Sequence, residues 1–173
     1  MTTDVYIAAA KRTPIGSFQG QLAHMSAPEL GAHAIAAAVS ESGIAGEDVS
    51  EVVIGNVIAA GLKQAPARQA MRIAGLPDSV GATTINKVCG SGMKATMMAT
   101  DLIRAGSADV VVAGGMESMT QAPYVIAKAR AGLRMGHAEL KDTMFLDGLE
   151  DAETGAAMGS FAQATSDGHQ LTR

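Results

Sequence analysis

Short apolar runs alternate along this chain with longer segments whose apolar residues recur at helical spacing. Residues 5–10 form the first run and read as a buried strand, broken by Arg12-Thr13-Pro14-Ile15-Gly16. Ser26 and Glu29 then precede an apolar stripe of Leu30, Ala34, Ala37 and Ala38, with Ile35 and Val39 beside it. This is the pattern of a capping box opening a helix, and Gly43 stops that helix after Ser42. Val52-Val53-Ile54 predicts a second strand, and residues 61–64 predict a loop. Pro66 opens another helix, closed at Gly75 with Pro77 beyond it. Residues 83–88 predict a third strand running into Cys89. Residues 91–105 predict a helix ended by Gly106, and residues 109–113 a fourth strand stopped by a turn at Gly114-Gly115. Strands that alternate with helices imply an α/β fold with a mostly parallel sheet covered on both faces.

The helix after Cys89 is apolar on most sides, through Met93, Ala95, Met97, Met98, Ala99, Leu102 and Ile103. One sheet covers one face of such a helix, so a second layer is expected on the other. From Thr120 the pattern changes. Lys128, Arg130, Arg134 and Lys141 cluster first, then Asp142, Asp147, Glu150, Asp151 and Glu153. These read as solvated surface on an excursion from the core. Residues 156–165 look helical, and Thr172 reads as an N-cap with no helix after it.

Composition narrows the class. A net charge of -4 argues against nucleic acid as a partner. A single cysteine excludes an internal disulfide and fits a reducing, cytoplasmic setting. Residues 1–4 show no basic stretch ahead of an apolar run, so no signal peptide is expected, and no apolar run approaches the ~18 residues of a membrane span. The eleven methionines read as flexible filler in a core poor in aromatic residues.

The candidate chemistry is Cys89, at the seam between a strand and a helix in Asn86-Lys87-Val88-Cys89-Gly90-Ser91-Gly92-Met93. Unpaired N–H groups at a helix start favour an anion, and a thiolate is one. Gly90 and Gly92 are expected to supply the sharp turn and close approach of a substrate. Composition alone equally allows a small buried cysteine packed as a hydrophobe. Lys87 offers electrostatic support, but a neighbour on a strand points to the opposite face.

Residues 11–20, 66–70, 86–95, 113–119 and 158–162 resemble, in order, segments of the N-terminal half of thiolases, nearest in wording to the acetyl-CoA acetyltransferases. The resemblance implies a thiolase-like N-terminal domain over residues 1–119, with a mostly parallel, five-stranded mixed sheet and helices on both faces. Residues 120–173 would begin a lid and tetramerisation loop region. It implies that Cys89 is the nucleophile, acylated by a CoA thioester, with its backbone N–H in an oxyanion hole. It implies Leu149 and Met158 along the pantetheine channel, subunit contacts through residues 124–141, and a homo-oligomer acting on acetyl-CoA and acetoacetyl-CoA. No metal, cofactor, nucleic acid or membrane is expected. Where some relatives carry a histidine, this chain has Ala157, so that imidazole has no counterpart.

The family's second half supplies a histidine, a second cysteine and an asparagine. None of His24, His33, His137 and His169 lies in a segment resembling that histidine motif. The expectation is therefore a fragment of an acyl-transferring enzyme, inactive alone. Two other classes remain open: a non-catalytic protein docking on full-length thiolase subunits, and a thiol redox sensor. A nucleotide-binding domain is disfavoured, because no G-x-G-x-x-G follows the first strand.

Overall fold

The computed structural model describes residues 4–172; the leader reading at residues 1–3 lies outside them. The described residues form two compact units, one ending at Gln121 and the other beginning at Ala122.

The first unit is built on three parallel strands, β1 (Glu51–Gly55), β2 (Gly81–Ile85) and β3 (Val111–Gly115), in the order β2-β1-β3. In register, Val53 faces Thr83 on one side and Ala113 on the other. The helices are α1 (Ala27–Ser42), α2 (Pro66–Ile73) and α3 (Ser91–Arg104). The α1 box forms as predicted: Ser26 N–H donates to Glu29 Oε2 at 2.7 Å, Glu29 N–H donates back to Ser26 Oγ, and Gly43 ends the helix at φ +70°. Orphan backbone groups at both ends thereby find partners or an exit.

Alternation along β1 sorts the layers. Val52 and Ile54 pack with Ala27 and Ile35 of α1 and with Ala67, Ala70 and Met71 of α2. Val53 and Gly55 face the other side, where a Cβ on Gly55 would meet Ser91 Cβ at 2.5 Å. Helices therefore cover both faces, as the alternation implies. Val52, Val53 and Met71 are fully buried, each contributing about 1.5–3 kcal/mol relative to exposure.

Two expectations are corrected. Residues 5–10 join no ladder, and Tyr6 and Ile7 are 84% and 83% exposed. The segment lines a cavity of about 440 Å³ together with α1, α3 and β3, and β3 remains an edge of its sheet. Its end is tied to α1 by a Lys11–Glu41 ion pair. Gly114 and Gly115 are the last residues of β3 rather than a turn. Gly115 lies against the first turn of α3, where a Cβ would sit 3.4 Å from Gly92 Cα, while a Cβ on Gly114 would meet only Ile54 Cδ1, at 3.9 Å.

In the second unit, β4 (Tyr124–Ile126) and β5 (Leu140–Asp142) pair antiparallel, with Val125 opposite Lys141. Buried Thr143 fixes the pair's end, its hydroxyl donating to the Pro123 carbonyl at 2.7 Å. A single π-helical turn follows over Phe145–Leu149, then α4 (Met158–Gly168). The five strands thus divide into a parallel three-stranded sheet and an antiparallel pair, rather than joining in one mixed sheet. Among the described residues, each three-residue strand of the pair has the other as its one ladder partner.

Candidate active site

β2 ends at Ile85 and α3 starts at Ser91; residues 86–90 between them carry Cys89. The thiol-bearing residue is exposed, which removes the packed-hydrophobe reading. The sharp turn sits at Val88, with φ +47°, and not at Gly90, whose φ is -85°. A β-branched residue in the left-handed region is an outlier costing about 1–3 kcal/mol, sustained only when its surroundings over-determine it.

Those surroundings are on both sides of Val88. Its N–H donates to Asn86 Oδ1 at 2.9 Å. Its carbonyl accepts from Ser91 Oγ at 2.6 Å and from Ser91 N–H at 3.0 Å. Ser91 is buried, and its hydroxyl also accepts from Lys87 N–H at 2.9 Å. Gly90 N–H donates to the Lys87 carbonyl at 3.0 Å. Among the N–H groups of residues 87–91, that of Cys89 is the one not donating within the turn. No side chain caps α3 at its start. An exposed thiol beside a backbone N–H at a helix N-terminus suits attack on a carbonyl and stabilisation of the oxyanion that results.

A second polar cluster lies at the ends of β1 and β3. Glu117 is half-buried. Its Oε2 accepts from Val57 N–H at 2.8 Å; its Oε1 accepts from Asn56 Nδ2 at 2.8 Å and Ile58 N–H at 3.2 Å. Burial pushes its carboxyl above the ordinary value, against the opposing pull of those three donors. Asn56 is buried, and its Oδ1 has no partner among the described residues. Asn86 Nδ2 donates to the Val57 carbonyl at 3.4 Å, linking this cluster to the Cys89 turn. The sequence reading assigned no role to Asn56, Asn86, Ser91 or Glu117. The available signal was Asn86 two residues before the turn residue, the spacing of an Asx turn.

Lys87 enters through its backbone, and its side chain makes no ion pair among the described residues. All four histidines are exposed. No cluster of metal-ligating side chains occurs among the described residues. Leu149 and Met158 belong to the second unit, where an antiparallel bridge between Glu150 and Ala157 sets them one position outside the paired residues. Leu149 is half-buried and Met158 is exposed.

A parallel α/β layer that presents one exposed cysteine from a strained strand-to-helix turn defines a candidate acyl-accepting thiol site. Residues 5–173 match the family described as thiolase, N-terminal domain, and the chain belongs to that family. It is 52% identical over 171 residues to an acetyl-CoA acetyltransferase of Cupriavidus necator, covering 99% of this chain and 44% of that protein. It is 51% identical over 170 residues to acetyl-CoA acetyltransferase 2 of Arabidopsis thaliana, covering 98% of this chain and 42% of that protein. It is 48% identical to an acetyl-CoA acetyltransferase of Schizosaccharomyces pombe, covering 100% of this chain and 44% of that protein. The chain thus spans less than half the length of these relatives.

Proposed function

We propose that this chain is the nucleophile-bearing part of an acetyl-CoA acetyltransferase. Cys89 Sγ attacks the carbonyl of an acyl-CoA thioester, the bond to the CoA sulfur breaks, and CoA leaves as the thiol. The Cys89 N–H steadies the oxyanion of the tetrahedral intermediate. A second acetyl-CoA, deprotonated at its α-carbon, then attacks the acetyl carbonyl, the bond to Cys89 Sγ breaks, and acetoacetyl-CoA and the free cysteine result; the reverse direction is thiolysis. The thioester supplies the activation, so the chemistry calls for no metal or redox cofactor. Leu149 and Met158 are proposed along the pantetheine. Exposed Tyr124, Ile126, Leu133, Met135 and Leu140 are proposed as contacts between subunits of a homo-oligomer working in the cytoplasm.

The observation that carries this reading is the exposed Cys89 on the Val88 turn, within a chain half-identical to named acetyltransferases. Incubation with acetyl-CoA, followed by intact mass, is expected to show an acetyl adduct on the parent chain and none on Cys89→Ser. An adduct of equal yield on Cys89→Ser would overturn the assignment.

The 173-residue chain contains neither a second cysteine nor a histidine near Cys89 in sequence. Loss of a coupled acid–base partner costs about 10²-fold or more in rate, so the chain alone is expected not to turn over. Turnover should appear when the C-terminal part of a relative is added. Multiple turnover by the pure chain would refute this.

The exposed face of α3 favours a second reading, a non-catalytic partner docked on full-length thiolase subunits. Under it, the chain co-purifies with an intact thiolase and turnover does not change when Cys89 is replaced.

A further inference from the structure

The geometry points to Asn86 and Glu117 as positioning residues for Cys89. A hydrogen-bond path runs from the Glu117 carboxylate through the Val57 peptide and the Asn86 side chain to the Val88 N–H. This path holds the left-handed turn that presents the Cys89 thiol and N–H. The inference rests on the reading of Cys89 as an acyl-accepting nucleophile.

Val88 at φ +47° would relax to negative φ if released, since its Cβ crowds the following carbonyl there by about 1–2 kcal/mol. Ser91 holds its carbonyl, and Ser91 is itself fixed by burial against Gly55. Only Asn86 holds its N–H. Asn86 is exposed, so its side chain needs an anchor, and that anchor is the Val57 carbonyl at 3.4 Å. Residues 56–58 are in turn fastened by the three donors converging on Glu117, at the end of β3. Three segments remote in sequence thus meet to fix one peptide. Neither Asn86 nor Glu117 serves as nucleophile or acid. Their loss would free the 87–88 peptide, leave the Val88 strain opposed from the carbonyl side by Ser91, and shift the turn that carries the Cys89 N–H and thiol.

The test uses the 173-residue chain and two reagents. Iodoacetamide reads the reactivity of Cys89 without any acyl site, and acetyl-CoA reads acetyl transfer by intact mass. Asn86→Ala is expected to slow both reactions at least about tenfold, the scale of loss from a small misplacement of reacting groups. Asn86→Asp keeps an acceptor for the Val88 N–H but loses the donor to the Val57 carbonyl, so it should fall between the parent and Asn86→Ala. Glu117→Gln should fall between the parent and Asn86→Ala. Adding Val88→Gly to Asn86→Ala should restore the rate, because glycine adopts positive φ without strain. A merely structural role would not be rescued this way. Asn86→Ala at the parent rate overturns the inference, as does a loss that Val88→Gly leaves in place. If Asn86→Ala does not fold, Glu117→Gln and Asn86→Asp both slowed support it, and both at the parent rate overturn it. A parent chain alkylated but never acetylated counts against the acyl reading alone; the iodoacetamide rates then decide the positioning role.

Discussion

Glu117 carries a pH signature of its own. Burial raises its carboxyl above the ordinary 4.5, and hydrogen bonds from Val57, Ile58 and Asn56 recover only part of that rise. Between 4.5 and the raised folded value, the native chain holds a proton that the unfolded chain releases. Stability from this group is therefore complete below 4.5 and is lost as pH rises through the folded value. Glu29 runs the other way: the Ser26 backbone bond first, then the Ser26 hydroxyl, lower its carboxyl, so its contribution is present above 4.5 and fades as pH falls. Urea titrations from about pH 4 to pH 7 should show the downward component in the parent and its absence in Glu117→Gln. A slope unchanged in that variant would remove Glu117 as its source. At this scale the candidate nucleophile was legible, because a lone cysteine in Cys-Gly-Ser-Gly followed by Gly-Gly-Met-Glu-Ser-Met is a specific pairing. Its supports were not: Asn86 and Glu117 are ordinary loop polars until folding brings residues 57 and 117, 60 positions apart, to 2.8 Å.

The helices were read well from sequence because their boundaries are local chemistry. Ser26 with Glu29, and Gly43, Gly75 and Gly106 at positive φ, act within a few residues of themselves. The strands were read less well, since an apolar run does not say whether a neighbour lies within hydrogen-bonding distance. Residues 5–10 carry the pattern and lack the neighbour. Glycine at the end of β3 was read as a breaker, whereas its use is to let α3 approach the sheet. Gly55 makes the same approach testable. A Cβ there would lie 2.5 Å from Ser91 Cβ and 2.8 Å from Ser91 C, with backbone that cannot yield cheaply. Gly55→Ala should therefore destabilise the first unit by about 1–3 kcal/mol and slow Cys89 alkylation, because α3 and the Val88 turn must shift together. Gly92→Ala meets its nearest atom, Gly115 N, at 3.5 Å, an ordinary contact, and should cost much less. Equal melting temperatures for Gly55→Ala and the parent would show that the contact is not limiting.

For the whole chain, the consequential feature is the surface α3 leaves uncovered. Ser91, Ala95 and Ala99 point into the first unit and are buried, while Met93 and Met97, one turn apart on another face, are 74% and 53% exposed. The sequence pattern had already asked for a second layer over this helix, and the first unit does not provide one. Val88, also exposed, continues the apolar surface onto the turn that carries Cys89. In the proposed function this surface meets the remainder of the enzyme, so covering α3 and completing the chemistry are one event. The isolated chain should then self-associate as its concentration rises, since contiguous apolar surface of this kind drives association. Met93→Lys with Met97→Lys should suppress that association in sedimentation or light scattering, and leave the fold intact because neither side chain is in the core. The same pair should abolish turnover restored by an added C-terminal part, while iodoacetamide still reacts with Cys89. If the double variant complements as well as the parent, α3's outer face is not the docking surface and the missing acid–base groups must reach Cys89 by another approach.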